Sequence, residues 1–266
     1  IGFVFLAPVA VYTLKKRSKR LDRKSVAYFA LLGLIGIAIC MPIYQMSINF
    51  TESSVVAVLF SCNPVFVTFF AFMILKEPIK RRHLAALSLE ILGTLAIINP
   101  LHIKLNMVGV GLALCSTVLF SIYGVMGKRK CAEYGGAVVT CFSFLFGSTE
   151  LLVILLLGRT AAVGGLFASL GLDIFVNVPL FSSIPLSALP ALAYICAVNS
   201  AAGYVCHMMA LEKTSAQEAS LIFFLKPMIA PLFAFLFLRE EITANMLLGI
   251  GIAILPGLIA QKKQRA

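Results

Sequence analysis

The chain has 266 residues, of which 61% are hydrophobic and 12% charged, and its formal net charge is +11. Its mean hydropathy is +1.01. A soluble domain of this length does not need so much apolar surface, so the composition excludes an ordinary soluble protein and indicates a membrane protein. The basic residues stand in short segments between apolar runs. We therefore attribute the charge to membrane topology and expect no nucleic-acid partner.

Long uncharged runs predict an all-α multi-pass membrane protein with nine spans. Alternating segments typical of barrel strands are not seen, and runs such as Ser53–Leu75 are long enough to cross the hydrocarbon core as a helix. The first run is short and has no cleavage site after it, so we interpret it as a helix cut at its start, with ten helices in the full protein. The predicted spans cover residues 1–14, 26–48, 53–75, 84–99, 107–127, 136–157, 188–210, 216–238 and 244–260.

The distribution of Lys and Arg predicts the orientation. Eighteen of these residues lie in the segments on one side and three on the other, with Lys226 left inside a span. Because cytoplasmic segments carry the excess of Lys and Arg, we expect a cytoplasmic C-terminus, in a protein of the plasma membrane. The thirty-residue segment Gly158–Ser187 then lies outside, as an interfacial helix, a lid or a passive linker.

The chain repeats itself with an offset of 163 residues. Segment 51–79 then lies over segment 214–242, nine of 29 positions are identical, and Pro64 lies over Pro227. The offset spans five predicted helices, and an odd number inverts the second copy in the membrane. Inverted repeats are typical of secondary transporters, whose substrate sites lie near the midplane between the repeats, often at broken helices.

The motif N-P-x-F…L-K-E before an apolar helix, and its second copy L-K-P…L-R-E-E-I before a glycine-rich helix, resemble the EamA family of the drug/metabolite transporter superfamily. The resemblance covers essentially the whole chain, without the first of ten helices. It implies one repeat over residues 1–99 (helices 2–5) and a second over residues 107–260 (helices 6–10). It also implies an exporter or exchanger that works by alternating access. Related members move amino acids, nucleosides, nucleotide-linked sugars or triose phosphates.

A lysine inside the eighth predicted span marks a candidate substrate site. A lysine at the bilayer centre costs about 2.5–3.5 kcal/mol unless it is paired or faces water. Pro227 follows Lys226 and frees a backbone carbonyl, so we expect a cation in a cavity, suited to an anionic substrate group. A salt bridge or a packed kink is the alternative. The counterpart of Lys226 is Asn63, beside Pro64, and Pro231 adds a further break.

Two carboxylates and one histidine inside the spans are candidates for proton coupling. Glu150 lies in the sixth predicted helix and Glu90 in the fourth, and each is either a proton carrier or the partner of Lys226. Histidine ordinarily changes its charge near neutral pH, which makes His207 a candidate for substrate or proton contact, although a lone histidine more often packs or bonds another helix. The further candidate substrate contacts are Tyr44, Asn199, Tyr204 and Tyr123.

The fifth predicted helix carries a mixed face of hydroxyl and aromatic groups. Such a lining would suit an amphipathic substrate, but small polar residues in spans commonly serve helix packing, and packing is the interpretation that we favour. The face consists of Ser116, Phe120, Tyr123 and Gly127, with Thr117, Ser121 and Gly124 beside it.

Other recurring residues are interpreted structurally. The Gly33–Gly36 pair is expected to serve helix packing. Glu77 and its counterpart Glu240 stand at span ends, where we expect them to cap a helix or to pair with a neighbouring cation rather than to bind substrate.

The sequence favours a transporter of a small metabolite, such as an amino acid or a related amphipathic compound, over three alternatives. The alternatives are an antiporter for phosphorylated or nucleotide-linked sugars, a non-transporting membrane partner protein, and an intramembrane enzyme. The last is not expected because no HExxH, GxSxG or close aspartate pair is present. No cofactor and no metal site are expected, since the cysteines show no CxxC spacing. The partners are a small-molecule substrate and the bilayer, and the protein is a monomer or a homodimer.

Overall fold

The computed structural model describes residues 2–51, 53–79, 81–98, 106–169, 171–180 and 185–225, together with residues 229, 233, 236, 247–249, 251 and 252. These residues form helices and connecting turns, and the described ranges contain no strand. This confirms the predicted all-α class. Five helices of the described part are long and apolar enough to cross a membrane: Arg23–Phe50, Val55–Leu75, Met107–Tyr134, Gly136–Leu157 and Leu186–Lys213.

The chain divides into two compact units, Ile1–Pro42 with Met126–Lys213 (unit 1) and Ile43–Val125 with Thr214–Ala266 (unit 2). Two long helices, one over Arg23–Phe50 and one over Met107–Tyr134, each contribute to both units. Many large apolar side chains stay exposed on the outside of the helices, as contact with a bilayer requires, and close van der Waals packing holds the helices together.

In unit 1 one central helix, α8, has four other elements packed against it. Residues of α1, α2, π1 and α11 all contact α8. The elements of unit 1 are α1 (Gly2–Lys16), α2 (Arg23–Gly33), the π-helical segment π1 (Leu34–Ile39), the start of α3 (Cys40–Phe50), the end of α7 (Met107–Tyr134), α8 (Gly136–Leu157), α9 (Ala161–Ser169), α10 (Leu189–Tyr194), the π-helical segment π3 (Ile195–Ala202) and α11 (Gly203–Lys213).

A glycine pair allows α2 to approach α8 backbone to backbone. A Cβ atom on Gly33 would lie 2.5 Å from the amide nitrogen of Gly147 and 2.8 Å from the carbonyl oxygen of Ser143. Both of these atoms belong to the backbone and cannot turn away as a side chain can. The prediction that Gly33 serves helix packing is confirmed.

Polar contacts join the helix ends of unit 1. The Glu212 carboxylate pairs with the Arg17 guanidinium, and its second oxygen accepts a hydrogen bond from the Gly136 amide at 2.8 Å, where α8 begins. Asp22 accepts a hydrogen bond from the Ser25 amide at the start of α2. Hydrogen bonds from Ser25 hold the pKa of Asp22 below its ordinary value, and the bond from the Ser25 side chain has the largest effect.

The helix α7 ends at Tyr134, whereas the sequence predicted its end at Gly127. The prediction stopped at the basic residues, which were assigned to a loop. In the structure, the Lys128 ammonium donates to the Leu211 carbonyl at 3.1 Å and the Lys130 ammonium to Glu133 at 2.8 Å. Because these long side chains reach polar partners, the helix continues through the charged residues.

The long segment after α8 contains a further helix, α9, and ends before α10. Whether it is interfacial, a lid or a linker stays a prediction, as do the count of nine spans and the repeat boundaries. The predicted start of the fourth span at residue 84 lies within α6, which begins at Arg81.

In unit 2 one predicted span is broken into two helices. The end of this span is tied to the start of α12, because the Glu77 carboxylate accepts hydrogen bonds from the Ala216 amide at 3.1 Å from each oxygen. The prediction that Glu77 caps a helix is confirmed. The elements of unit 2 are the end of α3, α4 (Ser53–Ser61), α5 (Asn63–Phe70), the π-helical segment π2 (Ala71–Leu75), α6 (Arg81–Ile98), the first part of α7, α12 (Ala216–Ser220) and a 3-10 turn (Leu221–Leu225).

Two π-helical segments fall at corresponding positions of the predicted repeat. Adding the 163-residue offset to π1, Leu34–Ile39, gives residues 197–202, which lie within π3. Each segment contains a hydrogen bond that closes on the fifth residue back, from Cys40 to Ile35 and from Gly203 to Val198. This correspondence agrees with a repeat that preserves backbone irregularities, which are often kept at functional positions.

Candidate functional site

The break in unit 2 lies at Cys62, between α4 and α5. Its backbone has φ −70° and ψ 0°, outside the helical region, and its amide bonds only three residues back, to the Leu59 carbonyl at 3.1 Å. Pro64 follows and has no amide hydrogen, so the regular helical bond is missing at this position. The span is therefore interrupted just before Pro64, and Asn63 is the first residue of α5.

The Asn63 side chain is buried and held in a fixed orientation. It is 1% exposed, and its Nδ2 donates to the Ser121 hydroxyl on α7 at 2.7 Å. The Ser121 hydroxyl donates in turn to the Thr117 carbonyl at 2.7 Å, so it accepts from Asn63. This direction fixes the amide with its oxygen on the other side. Asn63 Oδ1 is buried and has no hydrogen-bond partner among the described residues.

Five aromatic side chains form a connected group beside Asn63, which we call the aromatic cluster: Tyr44, Phe60, Phe120, Tyr123 and Phe223. Phe60 is one helical turn before Asn63, and Phe120 precedes Ser121. The ring centroids are 5.1 Å apart for Tyr44 and Phe60, 5.2 Å for Phe60 and Phe120, 5.9 Å for Phe120 and Tyr123, and 5.9 Å for Phe120 and Phe223. These separations are within the range of favourable aromatic pairs.

The aromatic cluster contains two residues that correspond to each other in the predicted repeat. Phe60 and Phe223 are 163 positions apart, and their ring centroids lie 6.3 Å apart. In unit 1, Met41 and Tyr204 have the same offset, and the Tyr204 hydroxyl donates to the Met41 sulfur at 3.2 Å. When two copies are related by a two-fold axis, a residue contacts its own counterpart only if it lies beside that axis. Each contact therefore agrees with two-fold related halves.

The structure brings three predicted substrate contacts together in unit 2: Asn63, Tyr44 and Tyr123. Tyr44 is half-buried against Phe60, and Tyr123 is fully buried. The prediction had paired Asn63 with Lys226, which lies outside the described residues, as do Pro227 and Pro231.

The other predicted site residues of the described part belong to unit 1, except Glu90. Tyr204 packs edge-on against Phe144, with ring centroids 5.1 Å apart, and His207 is half-buried one turn further along α11. Asn199 is exposed within π3. Glu90 lies on α6 in unit 2, and its side chain is outside the described part.

Glu150 lies in the second half of α8. Its Oε2 atom is buried and has no hydrogen-bond partner in the described ranges. Glu150 is one turn after Gly147, at the face where α8 meets α2 and π1. A carboxylate at such a place can take up or release a proton without first breaking an ion pair in the described part of the chain.

Sequence reasoning missed Phe60 and Phe223 as members of the site. The two residues are one of the nine identities in the repeat alignment, which could have identified them. A phenylalanine is common in apolar spans, however, and its presence there does not by itself indicate a site. Phe120 and Ser121 were interpreted as packing residues. They do pack, but they pack around the broken helix, which only the structure reveals.

The chemistry of the described residues is that of hydrogen bonding and apolar contact. Within the described ranges, no three His, Cys, Asp or Glu residues are grouped so that they could hold a metal ion. The rings of the aromatic cluster offer apolar contacts, and Asn63 Oδ1 offers a hydrogen-bond acceptor without a partner among the described residues.

Comparison with known proteins agrees with the resemblance seen in the sequence. A profile described as "EamA-like transporter family" matches residues 1–99 and 107–259. An "Uncharacterized transporter" of Clostridium kluyveri is 34% identical over 266 residues, covering 97% of this chain and 79% of that protein. An "Uncharacterized transporter" of Archaeoglobus fulgidus is 24% identical over 272 residues, covering 98% of this chain and 91% of that protein.

A solved crystal structure has a similar fold. It superposes with a TM-score of 0.71 at 13% sequence identity and covers 99% of this chain and 86% of the other. At this identity the likeness concerns the fold alone.

Proposed function

Because the chain belongs to the EamA-like transporter family, we propose that it is a secondary-active transporter that exports or exchanges a small metabolite. The family and the relatives point to transport across a membrane rather than to catalysis. Within this general function, we propose an amino acid or a related amphipathic compound as the substrate, moved by alternating access.

The contact between Phe60 and Phe223 carries the proposal. The two residues have the same position in the two predicted repeats, and their rings are in contact in the aromatic cluster. Phe60 lies on the broken span, close before the break at Cys62. Substrate sites of inverted-repeat transporters lie where the repeats meet, at discontinuous helices. The cluster combines both features within unit 2, which supports it as the place where the substrate binds.

The proposed binding groups have separate roles. The rings of Tyr44, Phe60 and Phe120 contact the apolar body of the substrate, and Tyr123 closes one side of the cluster. Asn63 supplies the polar contact. Lys226, His207, Asn199 and Tyr204 stay predicted contacts, for which the sequence is the support.

Proton coupling is proposed for Glu150. Its support is a carboxylate oxygen that is buried and unpaired within the described part of the chain. Protonation removes the cost of keeping a charge away from water, so that binding and release of a proton can accompany a change of conformation. Glu90 and His207 remain the other candidates.

The proposed location is the plasma membrane, with the C-terminus in the cytoplasm. The support is the excess of Lys and Arg on one side, eighteen against three. The basic segment Lys15–Lys24, which runs from the end of α1 to the start of α2, would then face the cytoplasm.

The proposed function is tested by measuring metabolites exported by cells that produce the full-length protein. We expect one class of small amphipathic compounds to accumulate in the medium, compared with cells lacking the protein. Phe60→Leu should reduce this export severalfold, because it removes an aromatic face from the cluster while keeping an apolar side chain.

The matched control is Phe69→Leu in the same span, since the Phe69 side chain is 53% exposed and lies outside the aromatic cluster. It should export as the wild type does. An unchanged medium, or equal export by Phe60→Leu and the wild type at equal protein level, would contradict the proposed site.

A further inference from the structure

The oxygen of the Asn63 amide can accept a hydrogen bond from a ligand. One N–H of the same amide donates to the Ser121 hydroxyl at 2.7 Å, and that hydroxyl gives its own hydrogen to the Thr117 carbonyl, so it does not donate back to the amide oxygen. Its oxygen is buried without a hydrogen-bond partner among the residues that the structure describes. Burying an acceptor without a hydrogen bond is unfavourable, so we expect a bound ligand to supply the missing donor.

The aromatic cluster, carried by the same elements that hold the Asn63 amide, favours a positively charged donor. Phe60 stands one turn before Asn63 on the broken span, and Phe120 is adjacent to Ser121. The faces of aromatic rings carry negative potential and attract ammonium groups, while carboxylates gain nothing from them.

We propose that Asn63 Oδ1 accepts a hydrogen bond from an ammonium group of the substrate, and that the transported compounds are amphipathic amines whose apolar part lies against the aromatic cluster. This inference rests on the proposed transport function and assigns the substrate class of that site. It gives Asn63 a role different from that of Lys226, which is suited to an anionic group. A compound with both groups, such as an amino acid, is compatible with the two.

The cluster must open before a ligand reaches Asn63. Phe60 and Phe120 are each 6% exposed and Phe223 is 7% exposed, so the rings cover one another in this structure. The break at Cys62 allows α4 and α5 to change their angle, and such a change would separate Phe60 from the rings on the neighbouring elements. An alternating-access cycle requires a movement of this kind.

Two probes that share a phenyl ring separate the amine from the rest of the ligand. Phenethylamine carries an ammonium group, and 2-phenylethanol carries a neutral hydroxyl group at the same distance from the ring. Their dissociation constants for the purified full-length protein are obtained from the increase of its unfolding temperature with probe concentration. We expect the wild type to bind phenethylamine at least about tenfold more tightly, because hydrogen bonds to charged groups are strong where water is excluded.

Asn63→Leu should bring the ratio of the two dissociation constants close to one. The control is Asn49→Leu, an exposed asparagine of α3 in the same unit, which should keep the wild-type ratio. Equal binding of the two probes by the wild type, binding of neither, or a full wild-type ratio in Asn63→Leu would overturn the inference.

Asn63→Asp keeps the test decisive if Asn63→Leu does not fold. The aspartate has the shape of asparagine and retains an acceptor at the position of Oδ1, so the preference for phenethylamine should be at least as large as in the wild type. A smaller preference in a folded Asn63→Asp protein would contradict the assignment.

The outcome is separable from the proposed function. Export measured in cells reports transport, whereas the probe ratio reports recognition of the amine. A protein that exports metabolites but does not distinguish the probes disproves only the inference. A protein that prefers the amine but exports nothing disproves the transport proposal and leaves the recognition of the ammonium group by Asn63 standing.

Discussion

Gly33 and Gly147 show how single residues without side chains set the distance between two helices of unit 1. Space for a Cβ atom is absent at Gly33, since backbone atoms of α8 would lie at 2.5 and 2.8 Å. In a bilayer, helices gain little from burying apolar surface against each other, so close contact of small residues supplies much of the association energy.

Gly33→Ala should therefore lower the stability of the protein by about 1–3 kcal/mol, the usual range for overpacking a close contact. The measurement is the thermal unfolding of the purified protein in detergent. Gly111→Ala is the control, because a Cβ atom there has no neighbour within 4 Å. The packing account is wrong if the two variants unfold at the same temperature.

Residues differ in how far the sequence reveals their roles. Asn63 was predicted as a site residue because the repeat set it opposite Lys226, and Gly33 was predicted as a packing residue from its type. The fixed direction of the Asn63 amide was not predictable, because it depends on a hydroxyl 58 positions away. The roles of Phe60 and Phe223 required their contact in space.

At the scale of elements, the broken span of unit 2 is the feature that positions the site. The two helices α4 and α5 meet at Cys62, and Pro64 prevents the regular hydrogen bond that would join them. Asn63 and Phe60 lie on either side of this break. The angle between α4 and α5 therefore decides how the aromatic cluster is arranged.

Pro64→Ala should reduce export severalfold without lowering the unfolding temperature, because the added amide hydrogen lets the span become more regular. For each variant, export is measured in cells that produce the protein, and thermal unfolding is measured on the purified protein. The control is Pro8→Ala, since Pro8 also lies inside a helix, α1, but its side chain is exposed. Equal export by Pro64→Ala and Pro8→Ala would show that the break has no role in transport.

The sequence predicted elements better than their irregularities. Apolar runs located the five long apolar helices of the described part, and the broken span of unit 2 is interrupted at Cys62, just before Pro64. The π-helical segments were not predicted, because a shift from the fourth to the fifth residue in hydrogen bonding is decided by packing across helices. The extension of α7 to Tyr134 was missed for a related reason, since the Lys128 ammonium is satisfied by the Leu211 carbonyl, 83 positions away in the sequence.

At the scale of the whole molecule, composition and the internal repeat determined the class of protein. The apolar composition indicated a membrane protein, and the 163-residue offset indicated a transporter with related halves. The family match confirms membership and the general function. The substrate was not predictable at this scale, because the fold is shared by proteins that move different compounds, and only the residues of the site distinguish them.

The most direct test of the account is flux through the purified full-length protein in sealed liposomes. The liposomes contain the compound identified by the export measurement, and a proton gradient is imposed across the membrane. We expect protein-dependent movement of the compound that follows the gradient, and loss of the response to the gradient in Glu150→Gln. Movement no faster than in liposomes without protein would contradict the claim that this chain transports a metabolite by itself.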